Sequence, residues 1–564
     1  MLAHRCSSSG IGLVLIAGLL VACPRWSWAA APAEAAAVGS PRFLAPGEVR
    51  PSFRDLADKA RDPVESLHLN AWVFNEMLMR ASSPRVGSIF SQRNEFNLQA
   101  SYAVNDNLKL YTWIRPYYDS IYDWHGGSLT GRNGATLRSD WQDSLNWDNE
   151  KDPVFREVYA DVVYGDFWGR FGRQIVAWGK SDGIFLLDNI SPFNFREPQR
   201  FQEQEIKIPQ WMLNFNYRFG TFGTAQLIWV PKPEFASYPG IGPLKRFTGG
   251  PNCEHDLEFS STCLVNQLFV TFDEFFKANG IVGADGKLGY PFPNTSKPPS
   301  RLENSAVMAR FDSSLGQLNY SLAYEYKYNW FLQDLPDVGD HEGTVGRGTA
   351  ALGIGNVRRA QRIHIIGGAA DYQFPWLPPF GENTVMRVET GMFLNDMFFL
   401  PDTSGSEKNH YQVMIGVDKF FTDPEWLNFP ALGLGSSGVS WFFSMQVFSD
   451  FIIRPDHWKN AYWTGGTNNF DFETLQATNG LRDATQQYIT FFLGKDLLPD
   501  QSLNLEEFVL IDPNFGNVWE HIQFKYMFSD FVSLAIGYNR NWGRESEPFG
   551  SNPDYMWTQF TFGI

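Results

Sequence analysis

Apolar and polar residues alternate along short segments of the chain from about residue 64 to the C-terminus. In segment 531–539 the apolar set is Val532, Leu534, Ile536 and Tyr538, and the small or polar set is Ser533, Ala535, Gly537 and Asn539. Segments 95–102 and 318–329 repeat the pattern. A two-residue period is the period of a β-strand, and a sheet with one apolar and one polar face is typical of a transmembrane β-barrel.

About eighteen segments fit this strand pattern, so the predicted fold is all-β, a transmembrane antiparallel β-barrel of about 16–18 strands with long extracellular loops. The predicted strands begin near residues 64, 94, 107, 154, 167, 208, 222, 303, 315, 361, 383, 408, 437, 484, 503, 517, 531 and 555.

When the connections between consecutive predicted strands are numbered in chain order, the even-numbered ones are mostly short and the odd-numbered ones mostly long. Even connections include the turn dipeptides Asn105-Asp106, Gly165-Asp166, Gly220-Thr221, Ser313-Ser314 and Ser529-Asp530. Most odd connections are far longer, namely 119–153, 178–207, 231–302, 330–360, 451–483 and 541–554. The even connection 421–436 is an exception. Bacterial outer-membrane barrels have short periplasmic turns and long extracellular loops, so the long set is expected to face outward and both termini the periplasm.

The composition agrees with a barrel. Aromatic residues make up 16% of the chain and include 20 Trp, which suits the aromatic girdles of a barrel better than a soluble core. After the N-terminus there is no run of about eighteen apolar residues, which argues against a helical membrane protein. A formal net charge of −16 argues against nucleic-acid binding.

The two ends of the chain carry export signals. Residues 1–29 have the pattern of a signal peptide, which leaves 30–63 as a periplasmic N-terminal segment and 64–564 as the barrel. A competing interpretation is a lipoprotein signal that ends at Cys23. The last ten residues resemble the terminal strand that the outer-membrane assembly machinery recognises, although Ile564 replaces the usual Phe or Trp. We therefore expect a Gram-negative outer-membrane protein in contact with lipid and with that machinery.

Two cysteines remain beyond the signal region, Cys253 and Cys263, both in the longest predicted loop. Export through an oxidising compartment makes a disulfide between them the expected state. Two cysteines with only His255 nearby do not make a four-ligand metal site.

The strongest local motif follows the fifth strand. Residues 172–183 read GRQIVAWGKSDG, residues 187–197 read LDNISPFNFRE and residues 208–212 read IPQWM. These runs resemble a Gram-negative outer-membrane family catalogued as domain of unknown function 1302. The resemblance implies a porin-like barrel that moves organic or hydrophobic molecules, in some cases alongside a periplasmic lipoprotein and an efflux-type pump.

The loop that holds this motif is dense in mixed charge. The candidate pore and constriction residues are Arg170, Gln174, Lys180, Asp182, Asp188, Arg196, Glu197 and Arg200. If the loop folds inward, it narrows the lumen and its opposed charges select solutes; if it stays outside, its Gly and Pro only form turns. An inward Asp182 or Asp188 would need a cation, with Lys180, Arg196 or Arg200 as candidates. If the loop is external, selection falls to strand charges at Lys109, Arg115, Glu325 and Lys327.

Arg173 conflicts with simple alternation, because it falls on the lipid face of its strand. A bulge, or a side chain that snorkels near the outer interface, would reconcile it with the barrel.

Motifs of hydrolases, zinc proteases and P-loop proteins are absent from the sequence, so no enzyme and no catalytic, cofactor or metal site is predicted. The histidines predicted on strands are scattered singly, and a polar role in the lumen is expected for them: His68, His364, His410 and His521. The preferred function is a passive channel or transporter for small organic solutes, hydrophobic ones among them. The alternative is a structural or partner-docking barrel with little flux.

Overall fold

The computed structural model describes residues 66–81, 87, 89–120, 153–193, 207–236, 298, 300–329, 333–336, 356–399, 405–422, 440–453, 485–498, 501–514, 516–542 and 554–563. Within them almost every ordered element is a β-strand. No helix among these residues is long and apolar enough to cross a membrane.

Twenty-one strands follow one another along the described part of the chain. They are β1 (Leu67–Arg80), β2 (Ile89–Asn105), β3 (Leu108–Ile114), β4 (Tyr117–Asp119), β5 (Phe155–Tyr164), β6 (Phe167–Gln174), β7 (Gln210–Arg218), β8 (Thr224–Val230), β9 (Ala306–Leu315), β10 (Leu318–Tyr328), β11 (Gln333–Pro336), β12 (Asn356–Arg359), β13 (Arg362–Leu377), β14 (Gly381–Phe399), β15 (Gly405–Thr422), β16 (Ser440–Ile452), β17 (Thr485–Asp496), β18 (Leu503–Asp512), β19 (Asn517–Ser529), β20 (Val532–Trp542) and β21 (Tyr555–Gly563).

Nineteen of the described strands form one sheet, and β11 and β12 pair separately. Each strand of the sheet pairs antiparallel with its neighbours, and β1 pairs with both β2 and β21, which closes the sheet into a barrel. Because β3 and β4 are one crossing interrupted at Arg115 and Pro116, the nineteen strands make eighteen crossings. The predicted antiparallel barrel is therefore confirmed.

The predicted strand starts agree with the structure to within five residues, the largest difference being β2, which begins at Ile89 rather than near 94. The prediction of a turn at Ser313-Ser314 was wrong. Both serines belong to β9, and the chain reverses at Gly316, whose φ of 62° lies in the left-handed region that a tight hairpin requires. Apart from the connection between β15 and β16, the even connections join strands whose ends lie close in sequence.

The two faces of the wall differ as the alternation predicts. On β10, Ser321, Ala323, Glu325 and Lys327 point inward and are buried, whereas Leu322 points outward and is 61% exposed. The small inward residue Gly537 leaves room for the ring of Trp557, because a Cβ at this position would lie 2.2 Å from the indole Cε2.

Large exposed aromatic side chains form bands near both ends of the barrel. At the end with the short turns they are Tyr217, Phe219, Phe222, Trp376, Phe420, Phe528 and Phe531. At the opposite end they are Phe155, Trp211, Phe451 and Trp542. Aromatic girdles at the two water interfaces of a lipid bilayer have this distribution.

Two polar residues, Arg173 and His364, face the outer surface of the barrel. Arg173 pairs with Val158 and Trp211, both exposed on the outer surface, without a shift in register. It is the last residue but one of β6, so it lies at the rim and no bulge is needed.

His364 was expected in the lumen, and this was wrong: it faces outward, where the Tyr324 hydroxyl is 2.9 Å from its Nδ1.

Candidate functional site in the barrel lumen

The chain that leaves β6 turns into the barrel. The indole Nε1 of Trp178 donates to Gln226 Oε1 on β8 at 2.9 Å, and the backbone N–H of Asp182 donates to Gln446 Oε1 on β16, also at 2.9 Å. Gln226 and Gln446 both point inward from strands that lie far apart around the wall. These contacts place residues 175–193, called the lumen segment below, inside the barrel.

The segment starts from a fixed exit point. Gln174 is fully buried, and its side-chain amide donates to the carbonyl oxygen of Met212 at 3.3 Å on the neighbouring β7. The N–H of Ile175 donates to Glu157 Oε1 at 2.7 Å. Both bonds satisfy groups that the end of the strand would otherwise leave unpaired, so the chain leaves β6 in a defined direction.

Arg170 lies on the same inward face of β6 as Gln174. Its Nε and Nη2 donate to the two carboxylate oxygens of Asp161 at 2.7 and 3.0 Å, and its guanidinium lies 3.9 Å from the ring centroid of Tyr159. A bidentate arginine is held rigidly by this geometry. Arg170 is therefore a fixed part of the wall beside the start of the segment.

Apolar side chains seat the segment against the wall at two places. Trp178 and Ile190 pack into a cluster with Met212, Ile228, Val230, Ala306, Met308 and Ala323 on β7 to β10. Leu186 and Leu187 pack into a second cluster with Ile363, Ile365, Ala369, Phe393, Met414 and Phe448 on β13 to β16. The second seat is a recess at the cross-strand pair Gly367 and Gly391, where added Cβ atoms would lie 2.6 and 3.1 Å from the leucine methyl groups.

Glu389 of β14 binds the backbone of the segment. Its Oε2 accepts from the N–H of Lys180 at 2.7 Å and its Oε1 from the N–H of Leu187 at 2.5 Å. The carboxylate approaches so closely because position 179 is glycine with a φ of 90°, where a Cβ would lie 2.7 Å from Oε1. One buried carboxylate thus closes the turn between Lys180 and Leu187.

Arg387, two residues earlier on the same inward face, binds the next part of the segment. Its Nη1 donates to the carbonyl oxygen of Lys180 at 2.5 Å, and its Nη2 pairs with the carboxylate of Asp182. The same Nη2 lies 2.7 Å from Asp418 Oδ1 and 3.1 Å from Ser444 Oγ. Gln446 Nε2 donates to Asp182 Oδ2 at 2.6 Å. The cation therefore joins the segment to β14, β15 and β16.

The two arms of the segment are tied to each other through Asp188. Its Oδ1 accepts from the N–H of Trp178 at 3.0 Å, and its Oδ2 pairs with the ammonium group of Lys207. Arg156 Nη2 donates to the carbonyl oxygen of Lys207 at 2.8 Å, so this pair is fixed to β5. Next to Asp188 on the same arm, the carbonyl oxygen of Asn189 accepts from Lys327 of β10, whose ammonium group lies 3.4 Å from Glu325.

Two cationic partners come from positions that the sequence did not indicate. Asp182 pairs with Arg387 and Asp188 with Lys207, whereas Lys180 pairs with Asp371 of β13. The predicted residues that lie outside the described part of the chain are Arg196, Glu197, Arg200, Cys253 and Cys263.

Sequence reasoning missed the wall residues that receive the segment, which are Asp371, Arg387, Glu389, Asp418 and Gln446. The alternation on β14 could have placed Arg387 and Glu389 inward, because both flank Val388 in a strand pattern. Among the charges proposed for an external-loop arrangement, Lys109 lies opposite Asp161, and Arg115 Nε lies 3.9 Å from Glu95 Oε1.

A cavity of about 650 Å³ lies beside Lys180 toward the end with the short turns. Its inward-facing lining includes Trp168, Lys180, Asn216, Asp312 and Asn319. The volume is in the range that holds a small organic molecule. Among the described residues no group of three or more His, Cys, Asp or Glu could hold a metal ion.

The motif around the lumen segment has counterparts in other proteins. A family model described as "Protein of unknown function (DUF1302)" matches residues 85–336. Over this stretch, the resemblance to the DUF1302 family is confirmed. The DUF1302 match covers the strands from β2 to β11 and the lumen segment, whereas Asp371, Arg387, Glu389 and Gln446 lie beyond it. A search of curated proteins found no match.

Solved structures that align over most of the chain include one from Acinetobacter baumannii and two from Pseudomonas aeruginosa. OccAB1 of Acinetobacter baumannii is 9% identical with a TM-score of 0.42, and the alignment covers 90% of this chain and 99% of that one. OccK5 (OpdH) of Pseudomonas aeruginosa is 9% identical with a TM-score of 0.41, covering 89% and 99%. OpdK of the same organism, solved with vanillate, is 7% identical with a TM-score of 0.40, covering 89% and 100%. The barrel architecture itself rests on the chain's own strand pairing.

Proposed function

We propose that the protein is a passive outer-membrane channel for small organic solutes, hydrophobic ones among them, with the lumen segment as its constriction. The observation that carries the proposal is the segment itself, which runs inside a closed barrel and contacts the wall from β8 to β16. A barrel of this size encloses an aqueous lumen unless loops fill it, so such a segment sets the free cross-section.

The surroundings of the barrel support its location. Apolar side chains cover the outer face, and aromatic bands lie near both ends, as a lipid bilayer requires. Short turns lie at the periplasmic end of bacterial barrels, which supports the proposal that both termini face the periplasm. The cavity beside Lys180 would then be the periplasmic vestibule below the constriction.

The side chains that remain accessible on the segment favour organic solutes. Asp182 and Asp188 are buried against cations, whereas Val176, Ala177, Ile184 and Phe185 stay at least partly exposed. The paired carboxylates therefore attach the segment. Lys180 and Ser181 are partly exposed as well, and the other accessible side chains of the segment are apolar. An apolar constriction admits solutes with an apolar face at a smaller desolvation cost than it admits ions.

Liposome swelling tests this proposal with the purified, folded full-length protein. Small organic solutes of graded size are compared in pairs that match in volume and differ in polarity. We expect permeation with a sharp size limit and faster entry of the less polar member of each pair, and Phe185→Ser should reduce that preference. Folded barrels that admit none of these solutes would contradict a channel and leave a structural or docking barrel.

A further inference from the structure

We propose that Arg387 and Glu389 of β14 are the positioning residues that hold the lumen segment across the pore. The inference rests on the proposed channel function and adds the part of the wall that sets the constriction. Both residues lie beyond the stretch that matches the DUF1302 model.

Glu389 binds backbone N–H groups of the segment, whereas Arg387 binds one backbone carbonyl group and one side chain. Glu389 accepts the N–H groups of Lys180 and Leu187, so it fixes the turn of the segment whatever its side chains are. Arg387 binds the carbonyl oxygen of Lys180 and the carboxylate of Asp182. Together they contact the segment at both ends of residues 180–187 from neighbouring inward positions on a single strand.

The anchor is itself fixed by the wall. Asp418 and Ser444 hold the Arg387 guanidinium from β15 and β16, and Gln446 meets Asp182 from β16. Hydrogen bonds to charged groups in a desolvated site are among the strong ones, and removal of one partner leaves the others buried and unpaired. Loss of Arg387 would therefore leave Asp182 and Asp418 close together without their cation, which would drive the segment away from the wall.

The apolar seats alone do not fix the position of the segment across the pore. Packing between aliphatic side chains is non-directional. The guanidinium donors of Arg387 and the Glu389 carboxylate instead form hydrogen bonds, which fix both the distance and the direction of the segment relative to β14. Release of the anchor should thus widen the pore while the barrel, whose strand pairing does not involve the segment, stays folded.

Single-channel recording in planar bilayers tests the anchor. The variants are Arg387→Leu, Glu389→Ala and the conservative Glu389→Gln, which keeps one acceptor oxygen, compared with wild type and with a deletion of 183–200. Heat-modifiable mobility on gels selects folded barrels. Asp182→Asn and Glu506→Gln form a charge-matched pair, because each removes one inward-facing carboxylate, but Glu506 of β18 accepts from Gln523 of β19 and belongs to neither the segment nor the Arg387 anchor.

We expect the conductance of Arg387→Leu and Glu389→Ala to rise toward that of the deletion, with Glu389→Gln between wild type and Glu389→Ala. Asp182→Asn should add open-state fluctuations that Glu506→Gln lacks. Hydrogen exchange of the Lys180 and Leu187 amides should accelerate in the first two variants. If the deletion raises conductance while both anchor variants keep wild-type conductance and exchange, the anchor is refuted and the constriction stands. If the deletion itself changes nothing, the proposed constriction fails.

Discussion

Truncation of the Leu187 side chain removes an apolar contact between the lumen segment and the wall. It tests the constriction without changing any charge. Leu187 is almost fully buried, and its Cδ2 occupies the recess above Gly367. Leu187→Ala would leave this recess empty. Because the substitution is neutral, any change in ion flow must come from the position of the segment and not from a new field in the lumen.

The expected magnitude follows from burial. A buried Leu→Ala substitution costs about 2–5 kcal/mol, through lost transfer free energy and the cavity that remains. Leu187 packs between the segment and the wall, so this cost falls on the seated state of the segment. At the lower limit of about 2 kcal/mol, the ratio of seated to released segment falls by about 30-fold.

The assay is single-channel conductance together with hydrogen exchange at residue 187. We expect longer or more frequent high-conductance states in Leu187→Ala and faster exchange of the amide that donates to Glu389. Leu78→Ala is the matched control, because Leu78 is equally buried on the inward face of β1 and packs with Tyr555 and Trp557 rather than with the segment.

Equal behaviour of the two leucine variants would refute the reasoning. If Leu187→Ala kept wild-type conductance and exchange in folded barrels, the seat would not hold the segment. If Leu78→Ala raised conductance as much, a general loosening of the barrel would explain both results.

Three further predictions concern the rest of the chain. Gly537→Ala should destabilise the barrel by about 1–3 kcal/mol, since the added methyl group overpacks against Trp557; an unchanged temperature of the heat-modifiable transition would argue against this contact. Cys253 and Cys263 should be disulfide-bonded in exported protein, closing a loop of about eleven residues worth roughly 2–3 kcal/mol in the chain-entropy model, so two free thiols in non-reduced samples would disprove the pairing. Protease added to intact cells should cut within 231–302 and spare the turn between β2 and β3; the opposite result would reverse the orientation.

The fold was largely readable from sequence because a two-residue period reports directly on which side of a wall each residue lies. The eighteen crossings follow from that period, and the turn at Gly316 was misplaced by a few residues because Ser313 and Ser314 also look like turn residues. The expectation that a polar side chain faces the lumen failed at His364, whose ring packs between Tyr324 and Tyr326 on the outer face. Neighbouring tyrosines can accommodate an imidazole there.

The site was only partly readable. Dense charge and bend residues marked the segment that enters the lumen, but its partners could not be inferred. Asp182 meets Gln446 and Arg387 across more than 200 residues of sequence, and such pairings depend on how strand tilt and stagger bring inner-wall positions to one height. No local pattern carries that information.

The most direct test of the central claim is the conductance of the folded full-length protein in a planar bilayer, measured beside the deletion of 183–200. A channel constricted by the lumen segment predicts discrete openings for wild type and a larger conductance and solute cut-off for the deletion. Absence of openings from both, or identical conductance and cut-off in both, would contradict the claim.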